Sequence, residues 1–444
     1  MPSRSLFAVC AAALALIGCA ATTTSSQSSA AASHTTKAAS VHHARRARRA
    51  HRTPTASDGA LSLITEPHDG ITPVLTAVQR ARRQVDMVMY EDSDTQVNAA
   101  LAAAVHRGVR VRVLLNGGYY GQGSPQNQAA YTYLKGQGVP VRFTPHAFAL
   151  THQKTLVVDG RAYILTFNLT PQYYATSRDF GIIDTRPADD AAIQRTFDAD
   201  WADQRIDPPA GADLVWSPGS EAALVYLLSK ATGRLDIYNE EMDSTAVEQA
   251  LEADARRGVD VRVTMTADSS WDSAFAALAA AGVHVRTYPA DASLYIHAKM
   301  ILTPARAFVG SENFSTVSMN DNRELGLITN DAPIRTSLAR TFDDDYAHAT
   351  PYSHRRHDPG GGAGGRSPSC SVSASHSSRY DDWDVYVRSG EGDTTATVSD
   401  SAGTTASYHT DSDGYADIYL KAPASAAGQT ITVHVGQATC SGTL

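Results

Sequence analysis

The feature that most constrains this chain is that its middle is written twice. Arg107-Gly108-Val109-Arg110-Val111-Arg112-Val113 recurs as Arg257-Gly258-Val259-Asp260-Val261-Arg262-Val263. In both copies an Ala-rich stretch precedes the Gly, which reads as helix, Gly stop and apolar strand. Further along, the copies align without gaps at an offset of 145: His152/His297, Lys154/Lys299, Asn168/Asn313, Asp179/Glu324 and Phe197/Phe342. Helical and strand periods that alternate in this way argue for α/β, with two duplicated halves around a pseudo-two-fold axis. The halves are expected at 58–205 and 206–350.

The remainder of the 444 residues falls into short, compositionally distinct pieces. Arg4, the apolar run Leu6 to Ile17 and Gly18-Cys19-Ala20 have the charge, length and small residues of a secretory signal over 1–19. The run is too short for a spanning helix of about 20 residues. Leu16-Ile17-Gly18-Cys19 also resembles the lipobox of bacterial lipoproteins, which would make Cys19 the lipidated N-terminus. Residues 20–57 hold almost no large apolar side chain and are expected to form a disordered tether. Its arginines could touch anionic headgroups, although such a run is more often simply solvated. Residues 1–57 carry seven Lys and Arg and no acid, which leaves 31 bases against 46 acids beyond them. An acidic body does not look like a bulk nucleic-acid binder, whose footprint is usually a basic face, although an active site can be basic inside an acidic shell. Composition also excludes a collagen-like, wholly disordered or polytopic membrane chain. A Gly-rich linker is expected at 351–367 and a small all-β sandwich at 368–444, where Trp383, Val385 and Val387, and later Ile431, Val433 and Val435, alternate with polar residues. With Cys10 and Cys19 in the leader, Cys370 and Cys440 are left to form one disulfide, worth about 4 kcal/mol for a loop of this length.

Each half carries His-x-Lys in an apolar, strand-like run: Thr151-His152-Gln153-Lys154-Thr155-Leu156-Val157-Val158-Asp159 and Ile296-His297-Ala298-Lys299-Met300-Ile301-Leu302. On a strand, residues i and i+2 share a face, so His and Lys would project together. Each pair is followed by Asn at +16 and by an acid at +27. One such pair is weak evidence, but two in identical register are specific. With Gly310-Ser311-Glu312-Asn313 and Asn322-Arg323-Glu324-Leu325-Gly326, they resemble the phospholipase D superfamily and its paired His-x-Lys-x4-Asp motifs over about residues 60–350. Departures from that pattern are Leu165-Thr166 in place of Gly-Ser before Asn168, and Pro304 at the second motif's Asp position.

Splitting a phosphodiester without a metal needs a nucleophile, a proton donor for the leaving alkoxide and cations for the phosphoryl oxygens. Two histidines meet the first two needs, since a pKa near 6.5 lets one be neutral while the other is protonated. Lys154 and Lys299 would clamp the phosphoryl oxygens, with Asn168, Asn313 and the Ser311 hydroxyl. The resemblance implies that Asp179 and Glu324 fix the far nitrogens of the histidines, Glu324 being expected on His297. It also implies that Asp159 is structural support, and that His152 is the nucleophile of a phosphohistidine intermediate resolved by water or another alcohol. No cofactor or metal is expected. The expected partners are a phospholipid substrate and a membrane surface; nucleic acid is the weaker alternative, and both half-sites in one chain suggest a monomer. The expected function is a phospholipase D-type phosphodiesterase, exported and anchored or secreted. The alternatives are a nuclease of the same superfamily and, because of Pro304, an impaired envelope-binding lipoprotein. Glu91-Asp92 and Glu240-Glu241 follow matching strands and are expected to be solvated strand ends, and His68, His106, His146 and His284 lack metal-ligand spacing.

Overall fold

The computed structural model describes residues 59–117, 124–145, 147–353, 370–377, 382–389, 395–409, 415–436 and 438–444. The leader with Cys19, the tether, most of the Gly-rich linker and His146 lie outside them. Among the described residues no helix is long and apolar enough to cross a membrane.

In the first half the strands are β1 (Leu61–Glu66), β2 (Gln84–Met89), β3 (Arg110–Leu115), β4 (Val141–Phe143), β5 (Thr155–Val158), β6 (Arg161–Leu165) and β7 (Ser177–Asp184). They form a mixed sheet in the order β1-β7-β6-β5-β2-β3-β4. Its helices are α1 (Thr72–Arg80), α2 (Thr95–His106), α3 (Pro125–Gly136) and α4 (Pro187–Trp201). The second half repeats this with β8 (Leu214–Ser217), β9 (Arg234–Tyr238), β10 (Met242–Asp243), β11 (Asp260–Thr266), β12 (His284–Tyr288), β13 (Tyr295–Ile296), β14 (Lys299–Leu302), β15 (Ala307–Gly310), β16 (Phe314–Ser315), β17 (Glu324–Thr329) and β18 (Thr350–Pro351). Its helices are α5 (Ser220–Ser229), α6 (Thr245–Arg256), α7 (Asp272–Ala280), α8 (Thr316–Asn320) and α9 (Ala332–His348). Its sheet runs β18-β12-β11-β9-β14-β15-β17-β8, the same order with one added edge strand.

Local chemistry sets the boundaries. Asp94 caps α2 by accepting from the Gln96 and Val97 amides, and Ser244 caps α6 through Val247. Both helices end at the repeated Gly, Gly108 and Gly258, each at φ +84, the left-handed conformation that favours glycine. The next residue's amide then reaches back to Ala104 or Asp254.

The apolar runs serve two cores at once. Leu156 and Val158 of β5 and Tyr163 and Leu165 of β6 face the core under α1–α3, while Val157, Ala162 and Ile164 face the opposite side. In the second half Ile301 and Phe308 face their own core, and Met300, Leu302, Ala307 and Val309 face the other. These opposite sides meet in one shared cluster, with Phe180, Ile182, Tyr238, Leu325, Leu327, Leu338 and Phe342. Period 2 explains this directly: strands apolar on both faces must be covered on both. Each fully buried Leu, Ile or Phe there contributes roughly 2 kcal/mol.

Two buried ion pairs cross between the halves. Arg323, just before β17, makes a bidentate pair with Asp200 of α4 (3.1 and 3.0 Å) and stacks over Phe148. Arg178 of β7 makes the same pair with Asp345 of α9 (2.6 and 3.0 Å). Both partners repeat at the offset of 145, so the two pairs are pseudo-two-fold mates.

Beyond the linker, Cys370–Ser377, Asp382–Ser389 and Tyr415–Leu420 form one antiparallel sheet. Thr405–His409, Thr395–Asp400, Thr430–Val435 and Ala438–Thr443 form a second. Trp383, Val385 and Val387 from the first share a core with Val398, Ile431 and Val433 from the second, so this small all-β region is a sandwich. A Cys370–Cys440 disulfide joins the two sheets.

Glu66, at the end of β1, lies opposite Asp179 and is almost fully buried. Burial pushes its carboxyl up to about 9, with Asp179 and Asp69 adding to the shift. Two stability predictions follow from these buried charges. Replacing Arg323 by Met strands Asp200 and should cost about 3–5 kcal/mol in denaturant unfolding, most of it recovered by adding Asp200→Leu. For Glu66, the folded state keeps a proton that the unfolded state releases above about 4.5. The raised pKa therefore gives stability that is full below about 4.5 and lost as pH rises towards about 9. Between those limits the loss is about 1.4 kcal/mol per pH unit. Glu66→Gln should remove this slope, so its stability relative to the parent should be higher at pH 8 than at pH 5. Equal differences at both pH values would refute it.

Candidate active site

The His-x-Lys segments are where each chain half crosses from one sheet to the other. Thr151 bridges Arg323 of the second half, and β13 pairs with β7 of the first. Two successive amides then share one carbonyl: His152 and Gln153 both donate to Arg323 (3.0 and 2.9 Å), and His297 and Ala298 both donate to Arg178 (3.2 and 2.9 Å). Only afterwards do β5 and β14 join their own sheets. The expectation of one regular strand through the motif is therefore corrected to a strand interrupted by a bulge-like step, a device that re-aims side chains. Lys154 Nζ donates to the His152 carbonyl (2.7 Å) and Lys299 Nζ to the His297 carbonyl (2.6 Å), so each His-Lys pair is closed on itself.

Each histidine is held by an acid of the opposite half. His152 Nδ1 lies 2.9 and 3.0 Å from the Glu324 carboxylate oxygens and 3.2 Å from the Ser311 carbonyl. His297 Nδ1 lies 2.8 Å from Asp179 Oδ1. This corrects the expected pairing of Glu324 with His297. Glu324 is itself fixed by Ser318 Oγ (2.6 Å) and Asn322 Nδ2 (3.2 Å), and Asp179 by Thr166 Oγ1 (2.5 Å).

Burial dominates the electrostatics. It drives His152 down to about 4 against the opposing pull of Glu324, and Lys154 down to about 7. His297 is also lowered by burial, opposed by Asp179 and Glu240. His152 is therefore neutral near pH 7. With Nδ1 on a carboxylate, its Nε2 carries the lone pair.

Several expected residues sit differently. The Ser311 hydroxyl is buried and accepts the Leu325 amide (3.1 Å), so it braces the strand behind His152 instead of facing a phosphoryl oxygen. Its mate at the offset of 145 is Thr166, whose hydroxyl accepts the Phe180 amide (2.9 Å). The missing Gly-Ser of the first half is thus a Thr doing the work of Ser. Gly310 is required where it stands, because a Cβ there would lie 2.5 Å from the Gly326 Cα. In the first half the Leu165 side chain fills the space opposite Gly181.

Asp159 accepts the Arg82, Arg83 and Gln84 amides (2.8, 2.8 and 3.0 Å) and pins the start of β2. At the second copy the Thr303 hydroxyl accepts the Ala305 and Arg306 amides, and Arg335 bonds the Pro304 carbonyl. Pro304 lines an outer cleft with Arg234 and Asp236 at the far end of β14, roughly 15 Å of strand from Lys299. Asn168 lines a small cleft with His297, Glu66 and Tyr174, and its buried Oδ1 has no hydrogen-bond partner among the described residues. Asn313 Nδ2 donates to Glu241 Oε1 (2.6 Å).

The expectation that Glu240 and Glu241 are solvated is overturned. Glu240 Oε2 lies 2.9 Å from Lys299 Nζ and 3.3 Å from His297 Nε2, and burial raises Glu241 to about 7. Asp92 is likewise buried, accepting from the Asp94 amide and the Asn98 side chain. Sequence reasoning also missed Tyr90, whose ring stands edge-on to His152 (4.5 Å) and beneath Lys154 Nζ (5.0 Å). It missed the Arg178–Asp345 and Arg323–Asp200 pairs as well, although the offset of 145 repeats both partners. Among the described residues, no group of three or more His, Cys, Asp or Glu is arranged to hold a metal ion.

A family model described as "Cardiolipin synthase, PLD-like domain" matches residues 74–201 and again 224–346, together more than half of the chain. Among solved structures, the polyphosphate kinase of Porphyromonas gingivalis is similar at TM-score 0.52 and 12% identity, over 65% of this chain and 47% of that one. This chain thus spans about half the length of that kinase. The phosphatidylserine synthase of Haemophilus influenzae Rd KW20 is similar at TM-score 0.51 and 12% identity, over 66% and 88%. Nuc of Salmonella typhimurium, a phospholipase D family member, aligns at TM-score 0.30 and 23% identity, over 34% and 98%. No curated protein matches the sequence. At these identities the structural likeness is one of fold. The family match falls once on each half, and this chain therefore belongs to the phospholipase D superfamily, with two PLD-like domains in one polypeptide.

Proposed function

We propose that this protein is a metal-independent phosphodiesterase of the phospholipase D type, cleaving phospholipid headgroups through a phosphohistidine on His152. The observation that carries the reading is the reciprocal site itself, two buried His-Lys pairs with each imidazole braced by the other half's carboxylate. In the first step the His152 Nε2 lone pair attacks phosphorus in line. The P–O bond to the headgroup breaks and its alkoxide takes the proton from His297 Nε2. Lys299, and Lys154 in its protonated form below about 7, supply positive charge for the phosphoryl oxygens. In the second step water attacks the phosphohistidine, His297 takes the water's proton, and His152 leaves as neutral imidazole.

A lipid substrate is supported by the acidic body beyond residue 57, which would repel a nucleic-acid backbone, and by a family description that names a lipid synthase. Retained activity is supported by the place of Pro304, in an outer turn away from both histidines. Export with an anchor at Cys19 is part of the same proposal and rests on the leader's Arg4, apolar run and lipobox-like Leu16-Ile17-Gly18-Cys19. The tether would then let the enzyme reach a lipid surface.

Purified protein should hydrolyse phosphatidylcholine or phosphatidylethanolamine in EDTA at an undiminished rate, and should act poorly on DNA. Loss in EDTA with rescue by a divalent ion would overturn the two-histidine chemistry. His152→Asn should abolish turnover, at least 10³-fold, together with any acid-labile phosphohistidine trapped by rapid quench. His297→Asn should slow release of an alkyl headgroup on the order of 10²–10⁴-fold, but release of nitrophenolate far less. Label trapped on a His297 peptide would reverse the assignment. In cells, Cys19→Ala should move the protein from the membrane fraction to the medium and remove incorporation of labelled fatty acid.

A further inference from the structure

The two half-sites share their His, Lys and Asn, but they differ in charge where a side chain meets the far nitrogen of the histidine. β2 and β9 pair with their neighbours in the same register, which makes Tyr90 and Glu240 counterparts at the end of matching strands. In the first half this position presents an aromatic ring to His152 and Lys154. In the second it presents a carboxylate, with Oε2 between Lys299 Nζ (2.9 Å) and His297 Nε2 (3.3 Å). Glu240 cannot swing freely, because Tyr295 Oη donates to its Oε1 (2.9 Å). His297 therefore has a carboxylate at each ring nitrogen, whereas His152 has one at Nδ1 only.

We infer that Glu240 is the positioning residue that makes His297, and not His152, the proton-carrying histidine of the pair. The inference rests on the two-histidine reading above and adds to it the group that breaks the symmetry.

A second carboxylate within hydrogen-bond reach favours imidazolium over imidazole, since it both pairs the charge and accepts the second N–H. The charges around each ring decide the sign. His297 faces Asp179 from β7, Glu240 from the end of β9, Lys299 on its own strand and, in the same small cleft, Glu66 of β1, which keeps its proton up to about 9 and adds no charge near neutrality. His152 faces Glu324 from β17, with Lys154 and Lys299 opposing it and the uncharged Tyr90 ring alongside. Two carboxylates and one ammonium act on His297, and one carboxylate and two ammonium groups act on His152. Burial lowers both rings, and only His297 has the second carboxylate to oppose it. In the proposed reaction Glu240 would help to hold the Nε2 proton that goes to the alkoxide, and would favour its return when water attacks.

The test is a ¹⁵N-histidine NMR titration of the full chain, with the two imidazoles assigned by loss of their signals in His152→Asn and His297→Asn. In the parent protein His297 should titrate at least one pH unit above His152. Glu240→Gln should lower His297 by about one unit or more and move His152 by much less, and Glu240→Asp should restore most of the difference. If His297 keeps its midpoint in Glu240→Gln, or if His152 titrates above His297 in the parent, the inference fails. Should Glu240→Gln not fold, the parent's order of midpoints and the Glu240→Asp value still decide it. Kinetics give a second readout: for an alkyl headgroup the descending limb of the kcat–pH profile should move about one unit to lower pH in Glu240→Gln. An unmoved limb in a turning-over variant would likewise overturn the inference. Absence of turnover on every phosphodiester, with the midpoints ordered as expected, would sink the functional proposal and leave Glu240's effect on His297 standing.

Discussion

The carboxylate at the Nδ1 of each histidine comes from the opposite half. Glu324 reaches His152 and Asp179 reaches His297, and the backbone carbonyls of the residues just before those acids, Arg323 and Arg178, receive the histidine amides. The same two arginines turn their guanidinium groups to Asp200 and Asp345 of the opposite half. Strand exchange, imidazole orientation and the buried ion pairs therefore all depend on one docking event. A half that folded alone would leave its face of the shared apolar cluster exposed to water and these charges without their partners. The site and the interface are one structure.

That arrangement places both histidines and both lysines among buried side chains. The shared cluster around Phe180, Ile182, Tyr238, Met300 and Leu325 is where both sheets bury their second face. Burial there lowers His152 and Lys154 and raises Glu66 and Glu241. Such a site is costly in stability, and the apolar contacts beside it offset the cost. In the proposed reaction, this burial would give an uncharged nucleophile at His152 and charges whose effect on a phosphoryl group water does not dilute.

The sequence made the duplication, both His-Lys pairs, the acids at +27 and the alternating strands of the C-terminal sandwich legible, because each is a matter of spacing along the chain. It could not say which acid meets which histidine. That depends on strands crossing between halves, and the offset of 145 is the same whether partners are exchanged or not. Glu240 was misread for a related reason: two acids at a strand end look solvated until the opposing Lys299 and Asn313 are seen. Ser311 was misread because a hydroxyl in a phosphate-binding motif can equally brace a neighbouring strand, and only the Leu325 amide at 3.1 Å tells the two apart. Arg178 and Arg323 were recoverable in principle. Each repeats with its aspartate, and repetition at the fixed offset is the signal that found the other pairs.

The duplicated halves have drifted apart in two different ways, and location separates them. Where the position is structural, one solution replaces another at little consequence for the cleft. Asp159 pins the first hairpin and Thr303 closes the second, while Leu165 occupies the space opposite Gly181 where the second half has Gly310. Where the position faces the histidines, the change alters charge: a Tyr90 ring on one side, a Glu240 carboxylate on the other. A perfectly two-fold site would give two imidazoles of equal basicity, which can share one proton but leave either free to hold it. One must arrive without a proton to attack, and the other must bring one to the leaving oxygen. In the proposed reaction, asymmetry at that strand end would fix which half holds the proton and which attacks, a choice that a symmetric, duplicated scaffold leaves open.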